Sequence, residues 1–391
     1  LIHDRSGVPF SSQLGRELSH RGYDVLYSYG AFFQSPKGYL SRKENDPPNF
    51  QIEAMELREP FRKYSYIKRH FQEIEYANDL VDQIYRYEPD VLLIAGSHPD
   101  ALGVVYKKCK NLDMKTILWL QDIYSIAINR ILRNRFWVLG DIVGTYYCIK
   151  EKQILQQSDE VVIITEDFYD LMKKWGIDDN RIHVIHNWAP VEELPVRAKE
   201  NSWAKEHKLT DKFCFLYSGT LGLKHNPDLL LQLSLHYLED PKTQIVVISE
   251  GLGADWLSSK KNDLGLINLQ LMDFQPHEKM PDVLGTADVL VAILEPEAGI
   301  YSAPSKVLTY LCAKRPILLA IPKENLLAKI VSKEGAGEVV SPSVVEEFLV
   351  SADVLYNNSA LRNKYAHNAR KYAEERFNII DICEKFEELF Y

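Results

Sequence analysis

The sequence predicts an α/β chain of two Rossmann-sized domains. Three observations carry that prediction. The chain has 391 residues, too long for one ordinary core and about right for two domains of roughly 150 to 200 residues. Short apolar runs alternate with longer amphipathic stretches, the pattern of βαβ units and a mostly parallel sheet. That pattern lapses once, near residues 189–208, and then begins again.

In the first half the strand candidates are Asp24 to Tyr27, Val91 to Ala95, Thr116 to Leu120, Val161 to Thr165 and His183 to Ile185. The opening Leu1-Ile2, before His3-Asp4, is short for a buried strand and reads as a trimmed start. Polar or small residues stand just past several strand ends: Gly96-Ser97-His98, Gln121-Asp122, Thr165-Glu166 and Asn187. Open α/β sheets bind ligands outside the carboxyl ends of their strands, so chemistry is expected there. Pro190, Pro195 and a charged stretch mark residues 189–208 as an interdomain linker between domains at 1–188 and 209–372. The second half repeats the pattern at Phe213 to Tyr217, Gln244 to Ser249, Leu269 to Met272, Val289 to Leu294, Ile317 to Ile321 and Gly337 to Val340. From Ala352 to Tyr391 the sequence reads as mostly helical, with Ile380, Cys383, Phe386 and Phe390 at helical spacing.

Composition excludes several classes. With 46% apolar and 26% charged residues the chain buries a real core. A net charge of −9 argues against a general nucleic-acid binder, which needs a basic surface. Five dispersed cysteines with no CxxC pair suggest neither a zinc site nor a disulfide framework, and fit a reducing cytoplasm. No run reaches the ~18 apolar residues of a membrane-spanning helix, so membrane contact is expected to be peripheral.

Two segments carry the clearest chemistry. Tyr217-Ser218-Gly219-Thr220-Leu221-Gly222-Leu223-Lys224 runs from a strand into a glycine-bearing loop and then a helix. Such a loop lets backbone amides approach a phosphate, and Lys224 adds a cation, although an ordinary βα turn has the same outline. The second is Glu295 to Lys306, followed by the apolar helix Val307 to Ala313. Pro304 at the helix start, with Ser302 as its cap, presents free amides, and Lys306 lies in the first turn, opposing the helix dipole. Bound diphosphate gives that lysine a reason; a solvated lysine is the plain alternative.

These segments, with Ile185-His186-Asn187-Trp188, resemble family 4 of the retaining glycosyltransferases, closest to the bacterial branch that builds exopolysaccharides and O-antigens. Leu14 to Val25 is similar to the family's first helix and second strand, Arg181 to Asn187 to a later strand, and Glu297 to Pro316 to its donor-binding segment. The resemblance implies a GT-B fold: two facing Rossmann-like domains, acceptor held by the first, donor by the second, and a last helix, about 373–391, crossing back. It places Gly219, Thr220, Lys224, Ser302, Ser305 and Lys306 at the donor phosphates and Glu297, beside Gly299, at the donor sugar. Phe274-Gln275-Pro276 resembles the base-holding loop, and Glu250-Gly251-Leu252-Gly253 the glycine turn before it. Thr309 stands where many members carry the second glutamate of an E-x7-E pair, Gln121 where a histidine often ends a strand, and Thr220 where an arginine accompanies the lysine. Asp122 is expected at the acceptor. His98 reads either as a cap of the following helix or as a catalytic imidazole.

The function implied is a hexosyl- or N-acetylhexosaminyl-type transferase moving a sugar from a nucleotide-diphosphate sugar to a glycan or lipid-linked acceptor in cell-surface polysaccharide biosynthesis, with no cofactor and no metal. A nucleotide-sugar 2-epimerase of the same fold and a non-catalytic nucleotide-sugar-binding protein are the alternatives. Arg130 to Leu139, with arginines interleaved among Phe136, Trp137 and Leu139, and a second basic group of Arg58, Arg62, Lys63, Lys68 and Arg69 predict a surface for anionic lipid on the inner face of the cell membrane.

Overall fold

The computed structural model describes the chain apart from residues 34–36, 63–64, 223–224, 297–298 and 300–303, and apart from the side chains of 127, 130, 131 and 133–139. It forms two compact units, Leu1–His186 with Ile379–Tyr391, and Asn187–Asn378.

The first unit is built on strands β1 (Ile2–Asp4), β2 (Val25–Gly30), β3 (Phe50–Met55), β4 (Val91–Ala95), β5 (Lys115–Leu120), β6 (Glu160–Ile163) and β7 (Ile182–Val184). They pair in the order β3-β2-β1-β4-β5-β6-β7, all parallel. The three-residue β1, expected to be too short, is a central strand: Ile2 pairs with Tyr27 on one side and Leu93 on the other. At the edge, β3 carries the alternation Phe50-Gln51-Ile52-Glu53, with Phe50 buried and Gln51 exposed, and no apolar run announced it. Helices α1 (Pro9–His20), α2 (Tyr66–Tyr87), α3 (Pro99–Cys109), α4 (Tyr124–Gln157) and α5 (Tyr169–Lys174) connect the strands. Helix α1 starts at Pro9, whose missing N–H is no loss at a first position, and buries Phe10, Leu14 and Leu18 at four-residue spacing.

Helix α4 is not straight. Its 34 residues would span about 50 Å at 1.5 Å per residue. Yet the Glu151 carboxylate accepts the amides of Tyr124 at 3.1 Å and Ser125 at 3.0 Å, and a Cβ on Gly144 would lie 2.8 Å from Asn129 Cα. The segment therefore folds back on itself. Glu151 supplies the acceptor that the opening amides lack, because the apolar side chain of Ile123 at the cap position cannot accept a hydrogen bond. Burial raises the Glu151 carboxyl to about 7.

The second unit contains helix α6 (Ser202–Glu206) and strands β8 (Phe213–Ser218), β9 (Thr243–Ile248), β10 (Leu269–Met272), β11 (Val289–Ile293), β12 (Ile317–Ala320) and β13 (Gly337–Val340). These pair in parallel as β10-β9-β8-β11-β12-β13. Around the sheet lie α7 (Asp228–His236), α8 (Leu252–Leu264), α9 (Met280–Thr286), α10 (Lys306–Cys312), α11 (Leu326–Glu334), α12 (Val345–Asn357) and α13 (Ser359–Arg376). The segment expected as a linker is packed into this unit. Trp188, Val191, Leu194 and Trp203 are buried, and Asn201 caps α6 while donating to Asp282 O and Thr286 Oγ1 at 2.9 and 3.1 Å.

The final helix, α14 (Ile379–Glu387), belongs to the first unit. Phe386 packs edge-on to Trp119 with ring centroids 4.9 Å apart, and Arg21 pairs with Glu387 at 2.5 Å. Both sheets reverse their strand order once, at β1/β4 and at β8/β11. Parallel sheets open a ligand crevice at such a reversal, beyond the carboxyl ends of the strands.

Candidate active site

In the second unit the chain leaves β8 through Gly219, whose φ of +139° suits glycine. A Cβ there would lie 2.8 Å from Lys306 Cε and 3.0 Å from Lys306 Nζ, so the bare backbone is what admits the lysine head. Lys306 opens α10 after Pro304. Its ammonium donates to the Tyr217 hydroxyl and lies 3.9 Å from the centre of the Tyr217 ring. The Tyr217 hydroxyl in turn donates a hydrogen bond to Thr220 O at 2.9 Å. The lysine is half-buried, its head desolvated by the surrounding residues, and burial lowers its pKa to about 7. Among the described residues no carboxylate pairs with it. Beside it Tyr310 accepts from Ser218 N at 2.8 Å and donates to Ser218 O at 3.1 Å, fixing the strand end.

The next loop is fastened to this one. Gly251, at φ +110°, caps α8, and Gly253 N donates to Leu221 O at 2.9 Å. Leu221 N in turn donates to Ser249 Oγ at 2.9 Å. A Cβ on Gly253 would stand 2.9 Å from Leu221 O, and one on Gly251 3.2 Å from it, so both glycines permit the close approach. Past β10, Phe274 and Gln275 are half-buried and Pro276 is exposed. Gln275 Oε1 accepts from Trp203 Nε1 at 3.1 Å, which ties that loop to α6.

Gly299 O accepts from Asn325 Nδ2 at 2.9 Å. The cap position of α10 belongs to Ser305, exposed and making no side-chain capping bond, rather than to Ser302. Thr309 follows, half-buried, within the same helix. Lys224, Glu297 and Ser302 lie outside the described residues. Thus Gly219, Thr220 and Lys306 come together, with Gly251 and Gly253 behind them. Sequence reasoning missed Tyr217 and Tyr310 as parts of the arrangement; a tyrosine inside an apolar strand or helix reads simply as core.

In the first unit His98 and Asp122 stand just past adjacent strands, β4 and β5. His98 is buried and is the N-cap of α3, its Nδ1 accepting from Asp100 N at 3.2 Å. Burial, with the Arg69 and Arg5 cations, holds its imidazole well below the ordinary range, so it is neutral. Asp122 is half-buried directly before α4. Tyr124 joins the two strand ends, donating to Gly96 O at 3.2 Å with its ring 5.8 Å from that of His98. Asp100 accepts from Lys150 at 2.6 Å, from Tyr147 at 2.8 Å and pairs with His70 at 2.9 Å, linking α2, α3 and α4. Although burial works against it, these bonds hold the Asp100 carboxyl below its ordinary value. Arg5, just past β1, forms a buried ion pair with Glu73 that no sequence motif signalled.

The two units match two family models. The model described as Glycosyltransferase Family 4 covers residues 10–193, and that described as Glycosyl transferases group 1 covers residues 198–372. The chain belongs to the GT-B glycosyltransferases. The chain is 22% identical over 244 residues to an uncharacterized glycosyltransferase of Methanocaldococcus jannaschii, an alignment covering 61% of the chain and 60% of that relative's length. Its fold is similar to that of sucrose-phosphate synthase from Thermosynechococcus elongatus, with TM-score 0.73, 13% identity, and coverage of 100% of this chain and 98% of the other. It is also similar to Anabaena HepE in complex with UDP-glucose, with TM-score 0.71, 14% identity, and coverage of 99% and 97%. No helix among the described residues of the chain is long and apolar enough to cross a membrane.

Proposed function

We propose that the protein transfers a hexosyl or N-acetylhexosaminyl group from a nucleotide-diphosphate sugar to a glycan or lipid-linked glycan, with retention, in cell-surface polysaccharide biosynthesis. The observation that carries the reading is the Lys306 head, admitted by Gly219 at the strand-order reversal of the second unit and unmatched by any described carboxylate. Departure of a nucleoside diphosphate concentrates negative charge on its outer phosphate, and a preorganised cation there lowers the barrier. Lys224 and the amides of the Gly219–Thr220 turn add to the same cradle, Glu297 and Gly299 take the sugar hydroxyls, and Phe274 to Pro276 take the base. Ser302, Ser305 and Thr309 flank them. HepE, which has the same fold, is a UDP-glucose complex, and a uridine donor is the first to test.

His98 and Asp122 take the acceptor side in this reading, Asp122 orienting the attacking hydroxyl and His98 shaping the strand end beside it. The protein works at the inner face of the cell membrane. Exposed Ile67 and Phe71 on α2, and Ile142, Tyr146 and Ile149 on α4, support that placement. Of the basic groups expected there, Arg58 and Arg69 approach Glu75 and Glu73, while Lys63 and the side chains of Arg130, Arg133 and Arg135 lie outside the described residues. The test is nucleotide release from UDP-, GDP- and dTDP-sugars with and without a lipid-linked acceptor. Acceptor-stimulated release is expected; binding without release, or interconversion of the sugar, would overturn the transferase reading.

A further inference from the structure

Resting on that transferase reading, we infer that the first unit carries a separate carbohydrate subsite, an aromatic cavity that takes a pyranose ring of the acceptor. The cavity has a volume of about 440 Å³ and is lined by Ala31, Phe32 and Phe33 past the end of β2 and by Glu56 to Phe61 past the end of β3. Its size falls within the roughly 300–1,000 Å³ of small-molecule sites, and it opens at the strand ends where a parallel sheet binds ligands. None of these residues belongs to the donor cradle or to the His98 and Asp122 side of the acceptor; Arg58 alone is shared with the basic group proposed to face the membrane.

The walls are built rather than accidental. Phe61 lies 5.3 Å from Phe32 and 6.0 Å from Phe33, ring centre to ring centre, making an angled aromatic surface. Behind it the buried Arg5 guanidinium sits 4.7 Å from the Phe33 ring and 5.2 Å from the Phe61 ring, anchored by Glu73. Gln72 holds the 59–62 strip by donating to Glu59 O and Pro60 O at 3.2 and 3.1 Å and accepting from Arg62 N at 2.8 Å. Gly30 lets β1 approach, since a Cβ there would meet Arg5 O at 2.7 Å. So three neighbouring strands fix one pocket.

Its chemistry selects the ligand. Aromatic rings offer an apolar face for the C–H face of a sugar. The rim carries both acceptors, Glu56 and Glu59, and a donor, Arg58, and all three are exposed. A pyranose, with an apolar face and hydroxyls that donate and accept, satisfies both parts at once. A phosphate would face two carboxylates, and an acyl chain would strip water from three charges with nothing in exchange.

The experiment is saturation-transfer difference NMR on the full chain with methyl glycosides of glucose, galactose and mannose and with N-acetylglucosamine, against uridine as control. Saturation of sugar ring protons is expected, weakened about tenfold in affinity by Phe61→Ala, as loss of an aromatic platform implies. Glu59→Gln and Arg58→Ala, on the exposed rim, keep the test open if Phe61→Ala does not fold; each is expected to change the ranking among the sugars. Thermal shift with UDP is read on every variant and should be unchanged, since the donor belongs to the second unit. Intact UDP binding with no saturation of any sugar, or with saturation untouched by all three variants, overturns the subsite. Preferential saturation of uridine, lost in Phe61→Ala, also overturns it and assigns the cavity to a base. Failure of the wild type to bind any of UDP, GDP and dTDP would instead strike the transferase reading and leave the subsite standing.

Discussion

Replacing Lys306 by alanine removes the only described cation of the donor cradle, and the structure sets the size and pH dependence of the loss. An electrostatic stabiliser of developing charge is worth about 10²- to 10³-fold in rate. The Lys306 head has a pKa lowered to about 7 by burial, so at neutral pH about half of the free enzyme carries the charge. One pH unit higher, only about one molecule in eleven does. Because kcat/KM reports the free enzyme, it should fall about fivefold between pH 7 and pH 8 in the wild type. Lys306→Ala should be about 10²-fold slower at pH 7 and lack that decline. Lys306→Arg should also be flat, since arginine stays charged, and slow, because its larger head must fit where a Cβ on Gly219 would already touch the lysine. The assay is the initial rate of nucleotide release across pH, with circular dichroism to confirm folding. A folded Lys306→Ala within a few-fold of wild type, or the same pH decline in the alanine variant, would refute the cradle.

Gly253→Ala places a Cβ 2.9 Å from Leu221 O and should cost about 1–3 kcal/mol of stability by overpacking while weakening UDP binding; urea unfolding and calorimetry will show both or remove the turn from the donor site. For Glu151 the folded pKa is raised from 4.5 to about 7, so its contribution is fully present below pH 4.5 and lost as pH rises through 7. The stability of wild type relative to Glu151→Gln should therefore fall by roughly 3 kcal/mol across that window, and a constant difference in unfolding free energy would contradict the buried capping role. Sedimentation with liposomes should increase with anionic lipid and drop when Arg130, Arg133 and Arg135 are changed to glutamate; indifference to both leaves the acceptor without a membrane.

Local pattern and tertiary topology decided different parts of this protein. A central parallel strand is covered on both faces, so Val91–Ala95, Val289–Ile293 and Ile317–Ala320 were legible as continuous apolar runs. The small and polar residues after them marked where ligands approach, because the sheet itself cannot accommodate them. By contrast, β3 is an edge strand whose alternation is weak, and β1 is three residues long, made central only by two partners far along the chain. The fold-back of α4 has no proline to announce it; Glu151 and the Tyr124 amide meet 27 residues apart in sequence. Burial of Val191, Leu194 and Trp203 gave residues 189–208 a place in the second unit that their polar composition did not suggest. Lys306 and Gly219 were each visible as residues suited to phosphate. That the glycine makes room for the lysine head, and that Tyr217 holds it 89 residues away in sequence, was decided by tertiary structure alone: periodicity reports which face of an element is buried, whereas the pairing of distant side chains depends on the order in which strands are laid into the sheet.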